Sequence, residues 1–239
     1  MPKSKEKNSK ITPKPIIITI DGPAGAGKST IAKKVAAHLG FTYLDTGAMY
    51  RALTYKALKK KIDMTDVAEL ANLLSQTDIK FEADGQGKTV VIVDEEDVSL
   101  DIRTPEVTNQ VFYIARAPEI RREMVRLQRK FAEKNNVVVE GRDIGTVVFP
   151  NADKKIYLDA DFKERAKRRF KELKEKISGV SLEQVEKDVS LRDTSDFTRE
   201  VGPLKQAEDA VRINTTSMTI DEVVREVVKR VEIKAKDHE

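Results

Sequence analysis

Apolar residues recur at two periods along this chain, and the switches between them mark out the elements. Ile16–Ile20 is a short, nearly unbroken apolar run and reads as a strand. Ile31, Val35 and Leu39 follow at helical spacing, and Gly40 stands where a left-handed residue would close that helix. Phe41–Leu44 reads as a second strand, and a helix with Thr46 as its N-cap runs to about Lys60. Residues 63–103 then break the alternation. Ile79–Ala83 and Thr89–Val93 flank the turn sequence DGQGK and predict a β-hairpin, each arm too short and too charge-flanked for a buried parallel strand. Helical spacing resumes at Pro118 with the stripe Ile120, Met124, Leu127 and Phe131. Val137–Glu140 and Lys155–Leu158 are strand runs. Residues 161–176 form a very basic helix carrying Arg165, Arg168 and Arg169, which reads mostly as a solvated face. Ser181-x-x-Gln184 is a capping box before an apolar face of Leu182, Val185 and Val189. Ala210–Asn214 is a last strand, and Ile220, Val223, Val224, Val227, Val228 and Val231 give an amphipathic closing helix. Strands alternating with helices around two insertions predict an α/β fold with a parallel sheet.

The junction between the first strand and the first helix carries the chemistry. Gly22, Gly27, Lys28 and Ser29 satisfy the G-x-x-x-x-G-K-[ST] phosphate loop, in the strand–loop–helix context that the motif demands. Its glycines let backbone N–H groups wrap a phosphate, and the helix N-terminus adds its dipole. Lys28 supplies a mobile cation for the outer phosphates and Ser29 a hydroxyl for Mg²⁺. A second cluster, Gly141-Arg142-Asp143-Ile144-Gly145-Thr146, follows a strand end, where ligands of open α/β sheets bind, and is well placed for a site; a structural Arg–Asp pair in a tight turn is the alternative. Arg192, Asp196 and Arg199 share one face if their helix continues, either as a salt-bridge ladder or as part of a site.

Charge narrows the function. Residues 1–15 hold five lysines against one glutamate, which accounts for the whole formal net charge of +4. That segment reads as a disordered, solvated tail, with a nucleic-acid-binding arm as the alternative, and the remaining body is neutral. There is no cysteine, which excludes disulfides and fits a reducing cytoplasm. No apolar stretch approaches the ~20 residues of a membrane span. Arg51, Arg121, Arg142, Arg192 and Arg199 fall at helix starts, strand ends and an insert. Phosphoryl transfer needs such cations and no protein nucleophile when the acceptor is itself a phosphate. The residues alone therefore point to a small P-loop kinase of an acidic small molecule.

GPAGAGKST, LDTGAMYR, EIRREM, VEGRDIGTVVFP, KIYLDA and RDTSDFTREVGPL, in this order, make the chain resemble the bacterial cytidylate (CMP) kinases over about residues 15–233. The resemblance implies an α/β P-loop NTPase fold, with a five-stranded parallel sheet flanked by helices. The core would be 16–62, 111–169 and 205–239. A nucleotide-monophosphate-binding insert would be 63–110 and a lid 170–204. ATP with Mg²⁺ would lie on Gly22, Pro23, Ala24, Gly25, Ala26, Gly27, Lys28, Ser29 and Thr30, with Ser29 at the metal and Arg168 near the ATP base. Arg51 and Arg142 would grip the phosphate of CMP or dCMP, with Thr46 among the substrate-binding residues. Arg121 and Asp143 would read the cytosine. From the lid, Asp196 would face the ribose, Arg192 the transferring phosphates, and Arg199 would support both. Lys28, Arg142, Arg192 and Arg199 are thus the expected catalytic residues. Two departures stand out: Phe112 where the family often carries a base-contacting serine, and Ser195 where relatives can have another lid arginine. Kinases of UMP or AMP, and a nucleotide-sensing module without turnover, are the alternatives. A cytoplasmic monomer with no nucleic-acid or membrane partner is the expectation.

Overall fold

The computed structural model describes residues 14–83, 89–175 and 179–231. Its centre is a sheet of five parallel strands in the order β2-β6-β1-β7-β8. These are β1 (Ile17–Asp21), β2 (Thr42–Asp45), β6 (Val137–Gly141), β7 (Lys154–Asp159) and β8 (Val211–Asn214). Every residue of β6 is buried, because helices cover both faces. Val138 packs with Ile18, Ile20, Ile156 and Leu158 against α1 (Lys28–Leu39) and α8 (Ile220–Val231). Val137 and Val139 face the other way, against Leu53 of α2 (Thr46–Lys59) and Ile120 and Met124 of α5 (Pro118–Ala132). Truncating a fully buried side chain such as Met124 to alanine costs about 2–5 kcal/mol.

Strand register sets where the site lies. Asp21 of β1 pairs with Gly141 of β6, and Asp45 of β2 pairs with Glu140. The carboxyl ends of the three adjacent strands are therefore level. The loop 22–27, the start of α2 and the turn after Gly141 all open on one edge of the sheet.

A second, antiparallel sheet holds β3 (Ile79–Ala83), β4 (Thr89–Val93) and the short β5 (Glu96–Asp97). The hairpin arms are those the sequence predicts, paired Ile79 to Val93 and Ala83 to Thr89. The DGQGK turn, residues 1–13 of the expected tail and His238 lie outside the described residues. Val91, Val93, Val98 and Ile102 pack this sheet on Ala48 and Ala52 of α2. Two helices around it escaped the pattern reading. The helix α3 (Val67–Ser75) is capped by Asp66, and α4 (Pro105–Arg116) by Thr104 with proline in its first turn. Only Val107 and Ile114 of α4 are fully buried, too few for its apolar period to stand out. It runs through residue 110, as α6 (Phe162–Lys174) runs through 170.

Three local expectations change. The cap of α2 is Asp45 and not Thr46: Asp45 Oδ1 accepts from Ala48 N at 2.9 Å. A cap needs extended backbone, and Asp45, ending a strand, already has it (φ −89°, ψ 95°). Thr46 is the first helical residue, and its hydroxyl donates to the Glu140 carbonyl at 2.7 Å. Half of the predicted capping box forms at α7 (Leu182–Thr198). Ser181 Oγ accepts from Gln184 N, while the Gln184 amide turns to Asp188 at 2.8 Å. The basic helix α6 is not solvated throughout, since Arg165 is buried. Gly40 does end α1 in the left-handed conformation, at φ 67°.

Candidate functional site

Residues 22–27 leave β1 and return into α1 as an open loop. The loop is packed so tightly on β7 that a Cβ at Gly22 would run into the Leu158 carbonyl oxygen. The carbonyls of Ala24 and Ala26 are drawn to flanking side chains, Arg165 at 2.9 Å and Thr215 at 3.5 Å. A trans peptide with its carbonyl turned outward presents the next N–H inward, so Gly25 and Gly27 offer donors to the loop's interior. Lys28 is buried there, and its Nζ donates to the Pro23 carbonyl at 2.7 Å. Burial, then the charge of Arg142, lowers its pKa to about 7, with Glu140 and Asp196 acting the other way. An anion in the loop would reverse that shift.

Ser29 is exposed at the head of α1, near enough to the Glu140 carboxylate for its hydroxyl to favour the charged form. Glu140 also accepts from Tyr43 Oη at 2.5 Å, and burial raises its pKa. One hydroxyl and one carboxylate are hard oxygen donors of the kind Mg²⁺ takes beside nucleotide phosphates, so the residues present fit that ion. Among the described residues no cluster of three or more His, Cys, Asp or Glu is placed to hold a metal by protein groups alone.

Facing the loop is a corner built from ion pairs. Arg142 and Asp143 do not pair with each other. Arg142 Nε meets Asp196 Oδ2 of α7 at 2.6 Å. Against burial, which lowers its pKa, Asp196 holds the Arg142 guanidinium above its usual value. Asp196 lies below its own, burial opposing but Arg142 and Arg199 prevailing. Asp143 is bound on one oxygen by Arg121 and on the other by Arg199 at 3.1 Å. Arg121 further donates to the Ala115 carbonyl at 2.9 Å and stacks over the Tyr50 ring. Arg199 also reaches Asp196 at 3.6 Å, so the predicted ladder is realised in one rung. Arg192 lies near enough to Arg142 and Arg51 that burial, then Arg142, lowers its pKa to about 10. Arg51 is held by Asp45 at 2.9 Å, with Arg103 on the same oxygen at 3.6 Å. Arg51 Nε and Arg121 Nε are buried donors with no hydrogen-bond partner among the described residues. Leaving such a donor unmade costs about 1–3 kcal/mol, which a polar ligand would relieve.

Lys28, Ser29, Arg51, Arg121, Arg142, Asp143, Arg192, Asp196 and Arg199 are thus gathered at one sheet edge. Arg168 stands apart, donating to the Thr215 hydroxyl and carbonyl at 3.0 and 2.6 Å beyond β8. Phe112 is part-exposed on α4, its ring 3.9 Å from that of Tyr113, and Ser195 is exposed. Sequence reasoning passed over the supporting carboxylates Asp45 and Glu140, which read only as strand-end residues. It also passed over Asp21, whose oxygens accept from Ile144 N and Gly145 N at 2.9 and 2.7 Å. Those bonds seat the wide turn Ile144–Val148, in which Phe149 N bonds Ile144 O at 2.7 Å. Burial raises Asp21 to about 6. Asp21 and Asp45 each end a strand beside a glycine or a helix start, and Glu140 directly precedes the glycine that ends β6, a signal available in the sequence.

A family model described as Cytidylate kinase matches residues 18–233. The chain is 50% identical over 212 residues to a protein named cytidylate kinase from Streptococcus suis (strain 05ZYH33), covering 89% of this chain and 94% of that one. It is 49% identical over 222 residues to another so named from Bacillus licheniformis, covering 93% and 98%. With a third, from Lactobacillus johnsonii, it shares 46% over 220 residues, covering 92% and 95%.

Proposed function

The chain belongs to the cytidylate kinase family, and from that premise we propose that it transfers the γ-phosphoryl group of ATP to CMP or dCMP, giving ADP and CDP or dCDP. One observation carries the reading. The buried lysine of the phosphate loop lies within electrostatic reach of Arg142 and Arg192, two arginines that holding ATP alone does not require. They suit the charge that spreads over a phosphoryl group in flight between two nucleotides.

Gly22–Thr30 hold the triphosphate. Ser29 and Glu140 would hold Mg²⁺, which when bound would neutralise phosphate charge. Lys28 follows the γ-phosphoryl, and its protonated form is favoured by that anion. Arg168, tied to Thr215 beside Ala26, borders the ATP base. On the acceptor side Arg51, preset by Asp45, and Arg142 bind the monophosphate, above a floor that includes Thr46. Arg142 exchanges Asp196 for the phosphate, and Asp196 is then available to a ribose hydroxyl. Arg192 neutralises the transferring group, and Arg199 ties α7 to Asp143. The acceptor oxygen belongs to the substrate phosphate, so no protein nucleophile is used. Asp143 keeps lone pairs beyond those its two arginines use and accepts from the cytosine amino group, with Arg121 beside it. Uracil would set a carbonyl oxygen against that carboxylate.

Residues 63–110 act as the monophosphate-binding insert and 170–204 as a lid over the core. Mobile lids exclude water from such transfers. No helix among the described residues is long and apolar enough to cross a membrane. We place the protein in the cytoplasm as a monomer acting on small nucleotides, without a nucleic-acid or membrane partner. A coupled ADP-release assay with CMP, dCMP, UMP and AMP tests the reading. CMP and dCMP should turn over at least about tenfold more efficiently than the others, the worth of one discriminating hydrogen bond. Equal efficiency with UMP would contradict the cytidine assignment. ATP binding without turnover of any monophosphate would favour a nucleotide sensor.

A further inference from the structure

Arg165 and Asp193 are outside the transfer site, yet they join two of its sides, the phosphate loop and α7. The stripe that α7 buries is short, comprising Val185, Val189 and Asp193. Two valines give that helix little apolar area, so its seating depends heavily on the aspartate. Asp193 Oδ2 receives Arg165 Nη1 of α6 at 2.6 Å, and both residues are buried. The same Nη1 donates to the Ala24 carbonyl of the phosphate loop at 2.9 Å, and Nε to the Ala160 carbonyl at 3.1 Å. Gly25 lies against this residue so closely that a Cβ there would come 2.7 Å from the Arg165 carbonyl oxygen. One guanidinium thus touches the loop, the root of α6 and α7. Asp193 adjoins Arg192 and lies one helical turn before Asp196. Its Oδ1 is buried without a hydrogen-bond partner among the described residues, so the contact with Arg165 is what satisfies this carboxylate.

We propose that Arg165 and Asp193 are positioning residues that form a latch coupling occupancy of the phosphate loop to the seating of α7. The inference rests on the reading of residues 22–30 as a triphosphate loop. Holding the Ala24 carbonyl outward turns the Gly25 N–H into the loop, the orientation a phosphate oxygen stabilises. A triphosphate that fixes this peptide also fixes the acceptor of Arg165, and through it the docking point of Asp193. Arg192 and Asp196 are then presented when the donor nucleotide is in place. The link runs both ways, because a coupling free energy is reciprocal.

Hydrogen exchange of residues 22–30 and 182–198, with and without Mg²⁺ and the β,γ-imido analogue of ATP, tests this in the wild type, Asp193→Asn and Arg165→Lys. In the wild type the analogue should slow exchange in both stretches. In either variant it should still protect 22–30, while 182–198 exchanges about tenfold faster and gains no protection from the analogue. If the analogue protects 182–198 in the variants as much as in the wild type, the pair is merely structural and the latch is refuted. If it fails to protect 22–30 in the wild type, the nucleotide-loop reading fails first, and the latch with it. Asp193→Asn keeps the shape and one acceptor oxygen, and it decides the matter should Arg165→Lys melt below the assay temperature.

Discussion

The phosphate loop and the acceptor corner do comparable work by opposite means. On the proposed reading, the loop is nine consecutive residues that would recognise charge with backbone N–H groups and one buried lysine. The corner draws Arg51, Arg121, Arg142, Asp143, Arg192, Asp196 and Arg199 from α2, α5, the end of β6 and the α7 segment, and would recognise with side chains. A backbone cradle is fixed by the chain's path, whereas a side-chain corner must be held by its own counter-charges. Hence the loop is held internally by Lys28 Nζ and Ala26 N, both donating to the Pro23 carbonyl, and the corner has Asp45, Asp143 and Asp196 as internal anions. Damage to the loop should lower every reaction alike, and damage to the corner should discriminate between acceptors.

The largest effect expected is that of Lys28→Ala. It should keep the fold and lower kcat about 10²-fold or more, because a preorganised charge at the transferring group is gone. Circular dichroism with steady-state kinetics checks both halves, and a kcat within about threefold of wild type would break the comparison on the loop side. Arg142→Ala should come next. CMP efficiency should fall about 10- to 100-fold, the worth of charge-assisted bonds to a phosphate, while KM for ATP stays nearly flat. An equal rise in both KM values would mean that the two regions are not separable.

The smallest effect is a proton. Lys28 has its pKa lowered from the ordinary 10.5 to about 7 by burial and by Arg142, and a triphosphate should raise it again. Above pH 7 the free protein holds this lysine largely neutral, so binding should take up a proton. The uptake should approach one near pH 8.5 and vanish below about pH 6. Calorimetric titration of ATP in buffers of different ionisation enthalpy measures it, and Lys28→Met should abolish it. The same shift acts on stability. Between pH 7 and 10.5 the unfolded chain holds a proton that the native lysine has released, so this lysine makes stability rise with pH across that window.

The contrast also explains what the sequence could reveal. Gly22 to Ser29 are adjacent along the chain, and flanking strand and helix periods testify to them. The parallel sheet, its hairpin insert and the closing helix were legible for the same reason, since each rests on local period. Arg121 and Asp143 are 22 residues apart, and the adjacency of Arg142 with Asp143 suggests a pairing that the fold does not make. The true partners are Arg121 with Asp143 and Arg142 with Asp196, which α5 and α7 carry to the end of β6, a property of tertiary packing and not of spacing. Arg165 was hidden for a related reason. A basic helix looks solvated until the phosphate loop and Asp193 supply acceptors for one of its arginines. Helix α4 was missed because its buried stripe is sparse, although Thr104 and Pro105 announce it.

The central claim is that base choice resides in the corner and not in the loop, and Asp143→Ala tests it most directly. Removing this carboxylate leaves Arg121 and Arg199 without their shared partner, so the variant should also lose stability. A ratio of two substrates on the same folded enzyme is insensitive to that loss. The measurement is kcat/KM for CMP divided by kcat/KM for UMP, in wild type and variant. Loss of one charge-assisted hydrogen bond, about 1.5–3 kcal/mol, should lower the ratio roughly 10- to 150-fold, with KM for ATP nearly unchanged. If CMP and UMP decline by the same factor, Asp143 does not read the base and the claim is contradicted.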